Sequence, residues 1–165
     1  MSAWNNERKT FFRVVTPPSL YFPTHGPTIF LAGSIDGGNA RQWQDRLIKY
    51  VENAWQETDV TIFNPRRDIK EFTEEMEVEQ HAWGISMLEA SDYILLHLAG
   101  GGGYSPISLL ELGMYMNDPK LWLSMDLDYP RRYAIEVHYR FTGKGIFIKP
   151  EDAIEDIRKD WLKRS

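Results

Sequence analysis

The sequence predicts an α/β fold built around a mainly parallel sheet. From residue 28 onward, short apolar segments alternate with longer segments in which apolar residues recur at helical spacing. The short segments lack the polar alternation of half-exposed strands, which is typical of strands covered on both faces. Strands that alternate with helices are joined by right-handed crossovers into a parallel sheet. Such sheets bind ligands at the carboxyl ends of their strands, near the point where the strand order reverses.

Five strands are predicted in this part of the chain, and each is a short apolar run. The second is followed by Asn64-Pro65, and proline ends regular pairing because it cannot donate to the ladder. The predicted strands cover residues 28–33, 59–63, 92–97, 121–125 and 145–148.

Five helices are predicted between and after these strands. In the first, Trp43, Leu47 and Val51 recur about one turn apart. Gly84 lies inside the second and weakens it by roughly 1 kcal/mol relative to alanine. Pro106 begins the third, because proline is well tolerated in a first turn. The predicted helices cover residues 39–54, 74–90, 106–117, 131–141 and 150–162.

The first 27 residues are predicted to be an N-terminal extension lying on a main domain of residues 28–165. Residues 11–15 form an apolar run that is consistent with an edge strand. Prolines interrupt regular structure after that run. They are Pro17, Pro18, Pro23 and Pro27.

The composition favours a globular protein and excludes several kinds of site. Hydrophobic residues make up 42% of the chain, enough for a packed core, and the net charge of −5 argues against a basic nucleic-acid-binding surface. No apolar run approaches the roughly 18 residues that cross a bilayer, so we expect no membrane partner and a cytoplasmic location. The absence of cysteine excludes thiolate ligands, and the histidine spacing fits no zinc pattern. We therefore expect neither a metal nor an organic cofactor.

The most informative segment is the glycine run 100–103 with the helix that follows it. Glycines let the backbone approach a ligand closely, and the unpaired N–H groups of a helix start favour an anion. The candidate ligand-binding residues here are Gly103, Tyr104, Ser105 and Ser108, and Glu111 is the candidate catalytic carboxylate. The functional interpretation is a pocket for a phosphorylated small molecule. The alternative is a flexible loop with a capping serine and a surface glutamate.

A second turn between strand and helix has a similar character. Residues 33–38 supply a hydroxyl, small side chains and backbone N–H groups, which suit a phosphate or a ribose hydroxyl. The candidates are Gly33, Ser34, Ile35, Asp36 and Gly37. The segment matches neither a dinucleotide fingerprint nor a P-loop, and an ordinary tight turn is the alternative.

A carboxylate that attacks an anomeric carbon needs a second group to protonate the leaving base. Asp36, Glu89, Asp92 and His97 are candidates by position. Asp92 begins a strand, which would also fit the opposite end of the sheet, and a histidine at a strand end is more often structural. Arg66 follows the second strand and is either a phosphate ligand or part of a solvated pair.

These segments together resemble the nucleoside 2-deoxyribosyltransferase-like family. The matching segments are 30–35, 64–67, 88–92 and 105–113, spread over roughly residues 28–125. The resemblance implies a flavodoxin-like, three-layer fold. It also implies cleavage of the N-glycosidic bond of deoxyribonucleosides or, in a hydrolase branch, of their monophosphates, and a homo-oligomer.

The resemblance also implies roles for individual residues. The family's nucleophile is the glutamate of a Glu-Leu-Gly motif, which falls on Glu111. The serine that the hydrolase branch uses for the 5′-phosphate falls on Ser34, and a second serine falls on Ser105. Because transferases commonly carry an acid at the second position, Ser105 favours a nucleotide substrate and hydrolysis.

Two positions depart from the family's pattern. Gly84 stands where the family usually has an acid close to the sugar and base, and Phe30 stands where the hydrolase branch has a tyrosine. Loss of a positioned acid or base costs about 10²–10⁴ in rate. Either His81, Glu89 or Tyr104 substitutes, or the chain is a weak enzyme or a binder.

The leading hypothesis is an N-glycosidase or transferase that acts on a nucleoside or nucleoside 5′-monophosphate through a glycosyl ester of Glu111. Trp83, Phe30 and Tyr104 are candidates for stacking on the base. One alternative is a nucleotide-binding protein without catalysis. Another is an NAD-type glycohydrolase, since the same carboxylate chemistry releases nicotinamide from ribose.

Overall fold

The computed structural model describes residues 10–20, 25–35, 41–67 and 71–165. These residues form six strands and five helices. The strands are β1 (Phe12–Val15), β2 (Thr28–Gly33), β3 (Val60–Phe63), β4 (Tyr93–Leu98), β5 (Leu121–Met125) and β6 (Ile146–Phe147). The helices are α1 (Trp43–Ala54), α2 (Glu74–Ala90), α3 (Pro106–Tyr115), α4 (Arg132–Arg140) and α5 (Pro150–Arg164).

The strands form a single parallel sheet in the order β1-β3-β2-β4-β5-β6. From β2 the chain moves to β3 on one side and then to β4 on the other, so the strand order reverses at β2. Without β1, this is the order of a flavodoxin-like sheet. The predicted α/β class and flavodoxin-like fold are confirmed. β1 pairs with β3 at the edge of the sheet, as predicted for residues 11–15, so the sheet has six strands rather than the five of the main domain alone. The domain boundary at residue 28 stays a prediction.

Helices cover both faces of the sheet and give the fold three layers. One apolar cluster joins β2, β4 and β5 to α2, α3 and α4, and it includes Trp83, Leu88 and Leu112. A second cluster lies on the other face and joins the sheet to α1 and α5, with Trp43 and Ile154 among its members. Both clusters exclude water from the sheet, which explains why its strands are apolar on both faces.

Local signals in the sequence account for the helix starts. The Thr73 side chain accepts a hydrogen bond from the N–H of Met76 and caps α2. Pro106 and Pro150 begin α3 and α5, where a missing N–H costs nothing. α1 begins at Trp43, later than predicted. In the described part of the chain, no helix combines the length and apolar character of a membrane span.

Candidate active site

The carboxyl ends of β2 and β4 lie side by side at the centre of the sheet. Their register pairs Gly33 with His97, so Ser34 and the glycine loop (residues 100–103) leave the sheet at the same edge. The strand order reverses at this point, which is the usual place for a ligand in an open parallel sheet. The two segments singled out in the sequence are therefore neighbours in space.

Ser34 and Ser105 connect these two segments through their side chains. The Ser105 hydroxyl donates to Ser34 Oγ at 2.8 Å, and Ser34 Oγ also accepts from the N–H of Ala99 at 3.0 Å. Both serines are buried. Ser105 precedes α3 with a left-handed backbone (φ 47°), which costs a non-glycine residue about 1–2 kcal/mol. Its side chain makes no capping bond to α3, so it leaves the first-turn N–H groups of that helix to other acceptors.

Gly33 allows β2 and β4 to approach each other closely. Its φ is 138°, and a Cβ at this position would overlap the backbone carbonyl of His97. The N–H of Ser34 donates to the same carbonyl at 3.0 Å. Gly33 therefore determines where the Ser34 hydroxyl is placed.

The glycine loop is attached to the segment that follows β5. The N–H of Gly100 donates to a carboxylate oxygen of Asp126 at 2.9 Å, and a Cβ on Gly100 would overlap the carboxylate of Asp128. The Tyr129 hydroxyl donates to the backbone carbonyl of Tyr104 at 2.6 Å. These contacts hold both ends of the loop, so its conformation is set by the chain after β5 as well as by its own glycines.

Arg41 extends over the same loop. Its guanidinium lies 3.1 Å from the position that a Cβ of Gly101 would occupy, and it pairs with Asp126 and Asp128 at 3.7 Å each. Exposed pairs of this kind contribute about 0–1 kcal/mol. Arg41, Asp126 and Asp128 are not among the residues predicted from the sequence. For the two aspartates a signal was present, because they follow the fourth predicted strand at the same edge of the sheet.

Glu111 lies on α3, six residues after Ser105, and its side chain is largely covered. Among the described residues, none donates a hydrogen bond to its carboxylate or forms an ion pair with it. Burial raises the pKa of Glu111 to about 7. The carboxyl group is therefore partly protonated near neutral pH.

His97 lies at the end of β4 inside a polar network. Its Nδ1 is 2.8 Å from Ser124 Oγ, its Nε2 is 3.6 Å from Asp126, and its ring meets the edge of Trp43. Burial lowers the pKa of His97 to about 4, so the ring is neutral at physiological pH. Trp43 belongs to α1, so this ring faces the sheet surface opposite to α3.

The order of these segments along the chain can be compared with known families. The sequence profile of a family described as "Nucleoside 2-deoxyribosyltransferase like" matches residues 26–129, which is more than half of the chain. The chain belongs to the nucleoside 2-deoxyribosyltransferase-like family. The match extends from just before β2 to Tyr129. It therefore includes Ser34 and Ser105 (the serine pair), the glycine loop and Glu111. No curated protein sequence matches the chain.

Asp92, predicted from the sequence as a candidate to protonate the leaving base, lies at the opposite end of the sheet from the glycine loop. Its carboxylate accepts from the N–H and the hydroxyl of Thr28 at 2.9 Å each, and so it joins the amino ends of β2 and β4. A six-residue strand spans about 20 Å, which separates Asp92 from the serine pair. The contacts seen for Asp92 are structural, and its catalytic role stays untested.

Arg66 lies at the carboxyl end of β3, as expected for a residue that faces the ligand edge. Its guanidinium donates to the backbone carbonyl of Arg41 and to the side-chain oxygen of Gln44, both at 3.2 Å. The Arg66 side chain is buried. Its neighbour Arg67 forms an ion pair with Glu79 at 3.1 Å. Arg66 therefore braces the segment before α1, and its role as a phosphate ligand stays a prediction.

The aromatic residues proposed to stack on a base occupy different environments. Trp83 is 4% exposed, packs against Phe30 and Phe63, and donates from its indole N–H to the carbonyl of Ser19 at 2.8 Å. Its ring, like that of Phe30, is part of the core. Tyr104 is 61% exposed at the end of the glycine loop, so it is the one of the three that has a free ring face.

The remaining predicted ligand-binding residues are distributed around the same edge. Ser108 is buried on α3, Ile35 is partly exposed after Ser34, and Gly103 is exposed. Asp36 and Gly37 lie outside the described residues.

An open cavity of about 690 Å³ lies beside the glycine loop, in the segment that leads into α4. Its lining includes Tyr129, Arg131 and Tyr133, and none of the predicted site residues belongs to it. Across residues 10–20, 25–35, 41–67 and 71–165, no group of three histidine or acidic side chains is placed to bind a metal ion.

Proposed function

We propose that this chain cleaves or transfers the N-glycosidic bond of a nucleoside or nucleoside 5′-monophosphate. A carboxylate oxygen of Glu111 bonds to C1′ while the bond from C1′ to the base nitrogen breaks and its electron pair goes to the base. Water or an acceptor base then attacks C1′, the ester bond to Glu111 breaks, and the proton that the attacking molecule loses to solvent balances the one that the departing base takes up. Membership of the family supports glycosyl transfer on nucleosides.

The environment of Glu111 is the observation that carries this proposal. Its carboxylate is largely buried, has no bonding partner among the described residues, and lies about one and a half turns into the helix that follows the glycine loop. The oxocarbenium-like transition state of glycosidic cleavage is positively charged. A carboxylate without a cation of its own stabilises that charge, so Glu111 is suited to act as nucleophile.

The serine pair and the glycine loop are proposed to hold the phosphate or the sugar hydroxyls. Ser34 and Ser105 present hydroxyls at the point where β2, β4 and the start of α3 meet. The N–H groups at the start of α3 add partial positive charge. Arg66 is a further candidate for the phosphate.

His97 is proposed to position the glycine loop rather than to react. Its neutral ring lies 3.6 Å from the carboxylate of Asp126, and that carboxylate accepts a hydrogen bond from the N–H of Gly100. Asp92 receives no role in this mechanism because its carboxylate is bonded at the amino end of the sheet.

The test is base release from a panel of nucleosides and nucleoside 5′-monophosphates, followed by chromatography. We expect release by the native chain and a loss of at least 10³-fold in Glu111→Ala and Glu111→Gln, because a nucleophile is removed. A 2-fluoro substrate analogue should add the mass of one glycosyl group to the peptide that contains Glu111. Release that is unchanged in both variants would remove Glu111 from the mechanism.

Gly84 favours one alternative, a protein that binds a nucleotide without cleaving it, because glycine supplies no acid on α2. Such a protein would bind nucleotides in calorimetry, release no base and form no adduct with the 2-fluoro analogue. The same panel therefore separates the two functions.

Homo-oligomerisation is part of the proposal, and so is a cytoplasmic location. Three apolar side chains of α3, the helix that carries Glu111, are roughly half exposed or more. They are Ile107, Leu110 and Met114, at 47%, 61% and 61%. Their spacing of three and four residues makes one stripe, which favours contact with a second copy.

A further inference from the structure

Gly84 is buried on α2, yet the structure places no side chain against it. A Cβ built on this residue would meet no atom of the described residues within 4 Å beyond its own helix backbone. Leu88, one turn further along the helix, belongs to the same apolar cluster as Leu112 of α3. The stripe of α2 that contains Gly84 and Leu88 therefore faces the sheet surface that α3 also covers.

One contact between α2 and α3 relates the heights of Gly84 and Glu111 along the two helix axes. The Tyr115 hydroxyl of α3 donates to the carboxylate of Glu89 on α2. Both helices follow a parallel strand and lead to the next, so they run in the same direction. From Glu89 back to Gly84 the rise is about 7.5 Å, and from Tyr115 back to Glu111 it is about 6 Å. Gly84 and Glu111 thus lie at similar heights on two helices that cover the same face of the sheet.

Among the described residues, no proton donor forms a hydrogen bond or ion pair with Glu111. His81 lies 3.8 Å from Glu77 on the exposed side of α2, and Tyr104 is exposed at the end of the glycine loop. Glu89 is bonded to Tyr115, whose own pKa is raised to about 12 by burial and by that carboxylate, and both lie more than one turn away. His97 is neutral and faces the other surface of the sheet. Asp92 is bonded to Thr28 at the far end of β4. Glu111 is needed as the nucleophile.

We propose that the preferred substrate carries a cationic leaving base, with the positive charge delocalised onto the glycosidic nitrogen, as in an N-ribosyl pyridinium or an N7-alkylated purine nucleotide. This inference rests on the proposed function. The flat cationic ring occupies the space between Gly84 and Glu111, where it meets a carboxylate that has no other counter-ion among the described residues. A neutral base fits the same space but lacks this ion pair.

The electron balance of the reaction explains why such a substrate needs no acid. Glu111 forms the bond to C1′, the bond from C1′ to nitrogen breaks, and its electron pair cancels the positive charge of the ring. The base leaves as a neutral molecule without gaining a proton. Water then forms the new C1′–O bond, the ester bond to Glu111 breaks, and the proton of the water goes to solvent. A neutral base would instead leave as an anion and would require a donor.

The test compares guanosine 5′-monophosphate with its N7-methyl derivative, each in the ribose and the 2′-deoxyribose form, after subtraction of spontaneous hydrolysis. We expect kcat/KM to be at least about 100-fold higher for the methylated member of each pair, since a missing acid costs 10²–10⁴ in rate. Nicotinamide mononucleotide serves as a second cationic substrate. Equal kcat/KM within both pairs would overturn the inference and leave the proposed function intact, whereas release from no substrate would overturn both.

A substitution at Gly84 tests the geometry. Gly84→Asp places a carboxyl group in the open space, where it can act as a general acid. Gly84→Asn places an amide of the same size, which cannot act as a general acid. We expect Gly84→Asp to reduce the preference for the methylated nucleotide by at least tenfold relative to Gly84→Asn. The same preference in both variants would show that position 84 does not face the leaving base.

Discussion

The hydroxyl of Ser105 donates to the hydroxyl of Ser34 at 2.8 Å although 71 positions separate the two residues in the chain. Ser34 Oγ also accepts from the N–H of Ala99, so one buried oxygen connects the end of β2, the end of β4 and the start of α3. Glu111 lies on that same helix. The serine pair therefore fixes the helix that carries the proposed nucleophile relative to the two central strands.

Removal of this shared oxygen should destabilise the protein. Ser34→Ala leaves the Ala99 N–H buried without its acceptor, which costs about 1–3 kcal/mol of unfolding free energy. Urea denaturation measures the change. Ser86→Ala is the matched control, because Ser86 is exposed and bonds only within its own helix, and it should shift stability by less than about 0.5 kcal/mol. Equal effects of the two substitutions would show that the serine pair is not structural.

Substitution by alanine should change the stability of the protein in opposite directions at two glycines. Gly33→Ala introduces a Cβ that overlaps the carbonyl of His97 at a φ of 138°, and we expect it to destabilise the fold by more than about 2 kcal/mol. Gly84→Ala adds a methyl group to open space inside a helix and should stabilise by up to about 1 kcal/mol. Thermal unfolding compares both with the native chain, and a destabilised Gly84→Ala would mean that the space beside α2 is filled.

The pH dependence of stability should report the burial of Glu111. Its pKa is raised from 4.5 to about 7 in the folded state, so folding favours the protonated form. The contribution of this group to stability is fully present below pH 4.5 and is lost as the pH rises through about 7. The difference in unfolding free energy between the native chain and Glu111→Gln should change by up to about 3 kcal/mol over that range. Tyr115 and Glu89 are the nearby titratable groups and are the same in both proteins. A constant difference would contradict the buried carboxylate.

The rate of base release should rise with pH as Glu111 ionises. Only the ionised carboxylate attacks C1′, so single-turnover rates should increase about tenfold per pH unit below pH 7 and level off above it. A rate that falls from pH 5 to pH 7 would indicate that Glu111 acts in its protonated form.

The exposed stripe of α3 should mediate self-association. Leu110→Glu places a charge in the middle of the stripe and should convert an oligomer into a monomer in sedimentation equilibrium. Leu162→Glu is the control, because Leu162 is 56% exposed on α5, which covers the opposite face of the sheet. A native chain that is monomeric at micromolar concentration would contradict the proposed assembly.

Periodicity and turn chemistry were sufficient to predict the class, the order of the elements and the edge of the sheet at which the candidate site residues meet. These are local properties, since apolar spacing determines the element type and a parallel sheet gathers the carboxyl ends of its strands. The same reasoning predicted Ser34, Ser105 and Glu111 as site residues, because Ser34 follows a strand, Ser105 precedes a helix, and Glu111 lies early in that helix. The sequence alone did not decide the role of Asp92. An aspartate at the start of a strand was a candidate acid by its order in the chain, but it would also fit the end of the sheet opposite to the ligand.

The contacts of the site depended on the tertiary structure. No spacing in the chain shows that Ser105 bonds Ser34, that Asp126 holds the glycine loop, or that Trp83 packs against Phe30 and Phe63. The raised pKa of Glu111 and the open space at Gly84 likewise arise from what surrounds these residues. Periodic side-chain patterns are encoded within a few residues, whereas desolvation and empty space depend on segments that are distant in sequence and meet only when the sheet and its helices pack.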